Sequence, residues 1–352
     1  NIPCCLLTGK MKKTDRAAIL KGLKEGKISL VVGTHALIQE DVEFNSLGLV
    51  IIDEQHRFGV NQRLKLQEKG DNPHLMSMTA TPIPRTLSIT YHGDMDLSII
   101  DELPKNRIPV TTKVVDQTKI EKVYDFVKTK IALGRQAIIV YPLVKESEKS
   151  DLAAAIDAFE SLSSIQFSKL KLGLVHGKMN SEEKEKVISQ FNKNSINVLI
   201  STTVVEVGLD VPNATIMLVE HAERFGLTQL HQLRGRVGRG SEKSYCILVK
   251  RNYSNMSKIR LSIMEKINDG FRIADEDLKL RGPGEVFGQK QSGFFQYKIA
   301  DIVKDGEIIR EARELAFDLV KLDPTLSRSF NKDIKEVFAK KYSHYLENLK
   351  LI

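Results

Sequence analysis

The sequence of 352 residues contains no tryptophan, and aromatic residues make up only 6% of it. Binding of single-stranded nucleic acid by stacking bases on aromatic side chains is therefore disfavoured relative to tracking along a duplex backbone. The three cysteines, Cys4, Cys5 and Cys246, show no metal-ligand spacing. We expect buried or incidental thiols in a reducing, cytoplasmic compartment.

Long apolar runs are also absent from the sequence. No stretch approaches the roughly 20 residues of a membrane span, and no signal peptide pattern is visible. The hydrophobic fraction of 41% and the charged fraction of 28% are ordinary for globular proteins. The length predicts two or three domains, and we expect no membrane partner.

Positive charge is in excess, with a net charge of +8, which favours a polyanionic partner. Between His231 and Arg260, Glu242 is the only acid, whereas the basic residues there are Arg234, Arg236, Arg239, Lys243, Lys250, Arg251, Lys258 and Arg260. Part of this charge is expected to face a bound phosphate compound. The sequence leaves open whether the remainder contacts nucleic-acid phosphates or is solvated.

The run from Leu49 to His56 reads L-V-I-I-D-E-Q-H, an apolar strand followed by two carboxylates. A strand buried on both faces has this continuous apolar character. Ligands of parallel sheets bind beyond the carboxyl ends of the strands, where Asp53 and Glu54 are expected. One carboxylate there can hold Mg²⁺ while the other orients an attacking water.

Three further segments follow this run in a fixed order. Residues 77–82 read S-M-T-A-T-P, and residues 201–212 read S-T-T-V-V-E-V-G-L-D-V-P. Residues 232–240 read Q-L-R-G-R-V-G-R-G. Arg236 and Arg239 are three residues apart, so they share a helix face if the segment is helical. Two guanidinium groups on one face suit a triphosphate, and the glycines favour close approach to a partner.

The four segments together resemble the DExH, TAT, T-x-x-x-E-x-G-x-D and Q-x-x-G-R-x-G-R motifs of superfamily-two helicases. Residues 269–285 read D-G-F-R-I-A-D-E-D-L-K-L-R-G-P-G-E, and 288–293 read G-Q-K-Q-S-G. This part resembles the translocation motif of the RecG family of bacterial branch-migrating helicases. The resemblance to the RecG family covers essentially the whole chain. The transcription-repair coupling factors are less similar, because they usually read R-G-A-G-N where residues 281–285 of this chain read R-G-P-G-E.

The RecG resemblance implies ATP and Mg²⁺ as cofactors and branched double-stranded DNA, such as stalled forks and Holliday junctions, as the partner in recombination and repair. It implies that Asp53 holds Mg²⁺ through water and that Glu54 activates water at the metal. It assigns a catalytic role to Arg236 and Arg239, which would reach the phosphates, as well as to Glu54. Beside Asp53, the residues that it assigns to nucleotide binding are Gln232, Gly208 and Asp210. Those that it assigns to coupling nucleotide state with DNA movement are Gln55, His56, Thr79, Thr81, Arg281, Gln289 and Gln291.

The phosphate-loop sequence G-x-x-x-x-G-K-[ST] does not occur in the chain, because each Gly-Lys pair is followed by another residue type. We therefore expect this chain to be a C-terminal fragment of a catalytic parent protein. The fragment is expected to lack the N-terminal DNA-binding wedge domain of RecG proteins and to be inactive alone. The intact protein is expected to be a monomer, whereas exposed sheet edges and apolar surface could make the fragment self-associate. A coupling-factor translocase and a non-catalytic DNA-binding fragment are the alternatives.

Alternating strands and helices predict an α/β fold with two RecA-like parallel-sheet domains, the first one truncated, and a mainly helical C-terminal segment. The predicted boundaries are 1–106 for the first motor domain, 107–268 for the second and 269–352 for the translocation motif and helices. Thr118 and Glu121 predict a capping box. The pattern also predicts one apolar helical stripe, which comprises Ile120, Val123, Tyr124, Val127 and Ile131.

Overall fold

The computed structural model describes residues 2–54, 58, 60–80, 96–102, 104, 107–142, 148–202, 211–252, 254–281, 300–301 and 304–349. The chain divides into two compact units, Asn1–Pro82 and Ile83–Ile352. The sequence also predicts a helix over residues 85–92, after the prolines at 82 and 84, and this segment lies outside the described residues. No helix of the described ranges is both long enough and apolar enough to cross a membrane.

Within the described residues, the first unit contains four strands and two α-helices. In chain order they are β1 (Cys4–Leu7), α1 (Lys13–Lys24), β2 (Leu30–Gly33), β3 (Leu49–Ile52), α2 (Val60–Gln67) and β4 (His74–Ser77). β1 pairs in parallel with β2, and β3 pairs in parallel with β4. The sequence pattern predicts helices over residues 15–25 and 62–68 and strands over 28–33, 47–53 and 75–78, and the structure confirms each to within two residues. Every pairing is parallel, as expected.

The strand before the acid pair is not buried on both faces, so that prediction is wrong. Val50 and Ile52 pack against Leu66 of α2, whereas Leu49 and Ile51 are each 55% exposed. Leu6, Leu30, Val32 and Met76 of the other strands are exposed as well. The reason is that the helices of this unit cover one face of the strands, among the residues that the structure describes. The expected exposed apolar surface is therefore present.

The second unit is built on a six-stranded sheet. Its strands are β5 (Thr111–Asp116), β6 (Gln136–Val140), β7 (Leu172–Val175), β8 (Val198–Ser201), β9 (Ala214–Val219) and β10 (Tyr245–Lys250). Their spatial order is β5-β10-β9-β6-β8-β7, and every pairing is parallel. All residues of β6, β8 and β9 are buried, which confirms a sheet covered on both faces.

Helices cover both faces of this sheet. In chain order the helices are α3 (Ile120–Ala132), α4 (Glu148–Ser161), α5 (Ser181–Asn192), α6 (Leu227–Arg234), α7 (Asn255–Lys266), α8 (Gly270–Arg281), α9 (Gly306–Leu322) and α10 (Lys332–Leu349). Ile138 and Val140 of β6 join one core with residues of α6, α7 and α8. Ala137 and Ile139 point to the opposite core, which includes α3. This alternation is the period-two pattern of a central strand.

The start of α3 departs from the prediction. Thr118 and Glu121 form no capping box, because Asp116 accepts the backbone N–H of Thr118 at 3.1 Å and its hydroxyl at 3.0 Å. The carboxylate of Glu121 instead accepts a hydrogen bond from Gln166 at 3.1 Å. The predicted apolar stripe is confirmed, since Val123, Tyr124, Val127 and Ile131 are buried and Ile120 packs beside them.

The turn between α9 and α10 is organised by one carboxylate. Asp323 follows α9, is 4% exposed, and accepts hydrogen bonds from the side chain of Asn331 at 2.8 Å and the backbone of Arg328 at 2.9 Å. The backbone N–H of Ser327 donates to it at 3.0 Å. These donors lower the pKa of Asp323 to about 2, with the Asn331 hydrogen bond as the largest cause.

Candidate functional site

The acid pair lies immediately beyond β3, where the chain bends sharply. Glu54 has a φ of +50°, a left-handed conformation that is uncommon for a residue other than glycine. Its backbone N–H donates to Asp53 Oδ1 at 2.8 Å. Asp53 is exposed, whereas Glu54 is half-buried and its Oε2 atom is shielded from solvent. The two carboxylates therefore occupy different environments at the end of one strand.

Hydroxyl side chains follow the neighbouring strand at the same edge. Ser77 of β4 is in register with Ile52, and the backbone N–H of Met78 donates to the Ile52 carbonyl at 2.7 Å. The Ser77 hydroxyl is shielded from solvent and makes no hydrogen bond to any described residue. Thr79 is half-buried two residues farther along. The structure thus brings the predicted acid and hydroxyl segments to one sheet edge.

The chemistry of this edge fits Mg²⁺ bound through water. Carboxylate and hydroxyl oxygens are the donors that Mg²⁺ prefers, and it is usually held by one or two carboxylates together with substrate phosphates. No group of three or more His, Cys, Asp or Glu side chains that could hold a metal occurs within the described ranges. Asp53 and Glu54 match the smaller donor set, and bound Mg²⁺ would supply charge neutralisation for phosphates.

The arginine segment of the second unit is not a helix, which corrects the expectation of a shared helix face. α6 ends at Arg234, and Gly235 is its C-terminal cap. Gly238 has a φ of +75°, and a Cβ atom there would lie 2.7 Å from Val110. Arg239 is exposed and its Nε donates to the Gly235 carbonyl at 3.4 Å, whereas Arg236 is half-buried. Both arginines therefore extend from a tight turn.

Arg234 has a structural role that sequence reasoning missed. It is 4% exposed, and it donates to the carbonyls of Ile267 at 2.8 Å, Asn268 at 3.0 Å and Met264 at 3.2 Å. Its guanidinium also lies 2.9 Å from His231 Nδ1. Burial, followed by the Arg234 charge, lowers the pKa of His231 to about 4. Arg234 thus fixes the end of α6 against the loop between α7 and α8.

Other basic residues of the same cluster are also engaged inside the protein. Arg251 pairs with Glu220 at 3.0 Å, and that carboxylate is fully buried. Arg260 donates to the carbonyls of Phe225 at 3.0 Å and Glu223 at 3.1 Å. Together with Arg234, these contacts show that some basic residues of the cluster have a structural role. The sequence had suggested only that they contact phosphates or are solvated. No sequence signal identified the backbone carbonyls as partners.

Arg281 lies at the end of α8 and reaches back to the start of α6. Its Nε donates to Asp277 Oδ1 at 3.0 Å, and the hydroxyl of Thr228 donates to Asp277 Oδ2 at 3.4 Å. Arg281 Nη2 lies 2.6 Å from the position that a Cβ atom on Gly226 would occupy. Gly226 is the N-cap of α6, so the predicted translocation motif contacts the helix that leads into the arginine turn.

Of the remaining predicted site residues, the structure describes Gln232. Gln232 is half-buried on α6, next to the arginine turn. Thr202, which precedes the predicted nucleotide segment after β8, is fully buried. The site residues that lie outside the described ranges are Gln55, His56, Thr81, Gly208, Asp210, Gln289 and Gln291.

Three sequence families match successive parts of the chain. Residues 1–89 match the family described as DEAD/DEAH box helicase, and residues 118–241 match the helicase conserved C-terminal domain. Residues 267–341 match ATP-dependent DNA helicase RecG, domain 3, C-terminal. The matches occur in the order that the motifs predicted.

Full-length relatives are similar over nearly the whole chain. ATP-dependent DNA helicase RecG of Synechocystis sp. is 50% identical over 345 residues, which are 98% of this chain and 41% of that protein. RecG of Bacillus subtilis is 50% identical over 323 residues, 92% of this chain and 47% of that protein. RecG of Escherichia coli is 48% identical over 316 residues, which are 88% of this chain and 46% of that protein. The chain spans less than half the length of these relatives.

Solved structures agree with this assignment. The structure of RecG bound to a three-way DNA junction is 46% identical, with a TM-score of 0.68, and the match covers 88% of this chain and 40% of that chain. The helicase MrfA bound to DNA is 14% identical with a TM-score of 0.56 over 89% of this chain and 48% of that chain, so it supports the RecA-like helicase fold alone. Together the comparisons support a C-terminal fragment of a RecG helicase, because the chain is similar over nearly its whole length to RecG proteins of which it spans less than half.

Proposed function

We propose that this chain is the motor and translocation portion of a cytoplasmic ATP-dependent DNA helicase. The enzyme moves on duplex DNA and remodels branched DNA, including stalled forks and Holliday junctions, in recombination and repair. The observation that carries the proposal is 50% identity to a RecG helicase over 98% of the chain. A RecG relative of known structure is bound to a three-way DNA junction, which supports branched DNA as the substrate.

In this proposal, ATP and Mg²⁺ are the cofactors. Asp53 holds Mg²⁺ through water, and half-buried Glu54 orients the attacking water. Their different exposure supports this division, because Asp53 is open to a hydrated ion whereas Glu54 is partly enclosed beside it. Arg236 and Arg239 stabilise phosphate charge, and Gln232, Gly208 and Asp210 contribute to nucleotide binding. The chain contains no phosphate-loop sequence of its own.

Coupling of hydrolysis to movement is assigned to residues outside the acid pair. Contact of Arg281 with Gly226 supports a mechanical connection, because displacement of the α8 end would press on the start of α6, whose other end leads into the arginine turn. The proposal places Gln289 and Gln291 in the same translocation motif. Gln55, His56, Thr79 and Thr81 would relay the nucleotide state within the first motor domain.

The proposed domain division follows from these roles. Residues 1–106 form the first, truncated motor domain, 107–268 the second, and 269–352 the translocation segment. The boundary between the two compact units lies after Pro82, earlier in the chain than the proposed boundary at residue 106. The first boundary reflects contacts between residues, whereas the second reflects the positions of the motifs. We propose a monomeric parent protein, with self-association restricted to the isolated chain.

The proposal is tested with a full-length RecG protein that carries this sequence. We expect DNA-stimulated ATP hydrolysis and unwinding of a synthetic four-way junction, and we expect Glu54→Gln to abolish both while DNA binding persists. Displacement of a stalled RNA polymerase without junction unwinding would favour the coupling-factor alternative. Duplex binding without either activity would favour a non-catalytic DNA-binding protein.

A further inference from the structure

An open groove lies along the outer side of α7, away from the acid pair and the arginine turn in sequence. Its volume is about 570 Å³, and it is lined by Lys258, Ile259, Ser262, Ile263, Lys266, Ile267 and Arg272. Three of these seven residues are cationic and none is acidic. Lys258 belongs to the basic cluster between His231 and Arg260 and Arg272 lies within the translocation motif, but no individual role has been assigned to any of the seven.

Polar residues of the groove form a regular row. Lys258, Ser262 and Lys266 are each four residues apart on α7, so they lie on one side of the helix. Lys258 and Lys266 are separated by about 12 Å along the helix axis. One strand of a duplex carries a phosphate for each 3.4 Å or so of its axis, so this row spans three to four phosphates.

The acid that is next to this row in sequence is directed elsewhere. Glu265, which precedes Lys266, accepts the backbone N–H of Val114 at 3.3 Å and lies 3.7 Å from the ammonium of Lys113. Its carboxylate is therefore directed to β5. The groove lining thus carries a net positive charge, which favours a partner with negative charge.

α7 is fixed in the fold through its inner side. Leu261 and Met264 are buried on its inner side. Arg260 anchors the helix to the carbonyls of Phe225 and Glu223, and Arg234 anchors its end through Met264 and Ile267. Lys258, Lys266 and Arg272 are exposed. The inner side of α7 is therefore fixed by these contacts, and the cations of its outer row face solvent.

We propose that this groove binds the phosphate backbone of duplex DNA. The proposal rests on the proposed function and adds a contact site to it. The cations and the Ser262 hydroxyl would contact phosphates, whereas Ile259, Ile263 and Ile267 offer no hydrogen bond to a base edge. Such a surface positions DNA without reading its sequence, which suits an enzyme that moves along any duplex.

The test measures duplex binding by the 352-residue chain, which needs no ATP. The variant carries Lys258→Ala, Lys266→Ala and Arg272→Ala, and a charge-matched control replaces the exposed lysines Lys122, Lys186 and Lys193 with alanine. Affinity for a labelled duplex is measured by fluorescence anisotropy over a series of salt concentrations. For the groove variant we expect the slope of log affinity against log salt to fall by about 0.9 for each phosphate interaction removed, and affinity to drop roughly eightfold for each at about 0.1 M salt.

A variant that keeps the charges, with Lys258→Arg, Lys266→Arg and Arg272→Lys, should retain the slope. An unchanged slope in the alanine variant, or an equal decrease in the control, would overturn the proposal. If the alanine variant instead fails to bind a labelled oligoglutamate peptide and keeps its DNA affinity, the groove takes an acidic protein segment and the proposal is wrong. Failure of the full-length protein to unwind junctions would refute the proposed function. The measured salt dependence would still show whether the groove binds DNA phosphates.

Discussion

Arg281 and Gly226 are 55 residues apart in sequence, yet Arg281 Nη2 occupies the space next to the Gly226 Cα, 2.6 Å from where a Cβ would be. Gly226 has a φ of −73°, so glycine is not required there for its backbone conformation. The guanidinium is so close that a side chain at residue 226 would displace the end of Arg281. The translocation motif and the helix that leads to the arginine turn therefore meet at a contact that a single methyl group would shift.

Replacing Arg281 with Ala in the full-length protein should reduce junction unwinding far more than ATP hydrolysis. The reason is that the side chain no longer joins α8 to α6 in the variant, while the acid pair and the arginine turn are unchanged. Gly226→Ala should reproduce part of this defect, because its methyl group displaces the guanidinium without deleting it. Both rates are measured on the same preparations.

Lys279→Ala is the matched control for Arg281, since Lys279 lies on the same helix and pairs with Glu276 on the protein surface. It should leave both rates near those of the unsubstituted protein. Equal losses of unwinding and hydrolysis in Arg281→Ala would instead place Arg281 in catalysis, and no loss of either would make the segment a simple connector.

The second prediction concerns the two arginines of the arginine turn in the full-length protein. Arg236→Ala or Arg239→Ala should leave folding and DNA binding largely intact and should lower the rate of ATP hydrolysis. Arginines that stabilise charge in phosphoryl transfer contribute on the order of 10³–10⁵ in rate. Steady-state ATPase and duplex binding are measured together, and normal hydrolysis by both variants would show that they have structural or DNA-binding roles.

The isolated chain should show no DNA-stimulated ATP hydrolysis and at most weak nucleotide binding. It contains no G-x-x-x-x-G-K-[ST] segment to surround the phosphates with backbone N–H groups. Hydrolysis is measured with the purified 352-residue chain, and the Glu54→Gln variant of the same chain controls for contaminating ATPases. Turnover that matches an intact helicase and disappears in this variant would contradict the expectation.

Much of the fold follows from local sequence, because strand and helix periodicity are properties of neighbouring residues. The parallel sheet of the second unit and the edge that unites Asp53, Glu54 and Ser77 were predictable for that reason. The arginine turn was not, because α6 ends at Arg234 with Gly235 as its cap, and Gly238 then adopts a left-handed backbone that packs on Val110. Spacing of three residues alone could not distinguish a turn from a helix.

The role of Arg234 was beyond sequence reasoning for a different reason. Its acceptors are backbone carbonyls 30 to 34 residues downstream, and carbonyls carry no residue identity that a motif can contain. Replacing Arg234 with Met should keep the side chain's bulk and leave these carbonyls without their donor, at a cost on the order of 3 kcal/mol in the free energy of unfolding. Arg239→Met, at an exposed position, is the control in chemical denaturation.

His231 gives the last prediction, a dependence of stability on pH. Its pKa is lowered from the ordinary value of 6.5 to about 4 in the folded protein by burial and by Arg234. Above pH 6.5 the side chain is neutral in both states and contributes no pH dependence. Between pH 6.5 and about 4 only the unfolded state takes up the proton, so folding stability should fall by up to about 1.4 kcal/mol per pH unit.

His231→Gln removes this titration and keeps an oxygen that can accept from Arg234. Its stability should therefore decrease less than that of the unsubstituted chain as the pH is lowered from neutral to about 4.5. His74→Gln, at an exposed position on β4, should behave like the unsubstituted chain. Urea denaturation across this pH range measures all three proteins, and parallel curves for His231→Gln and the unsubstituted chain would show that His231 is protonated as readily in the fold as in the unfolded chain.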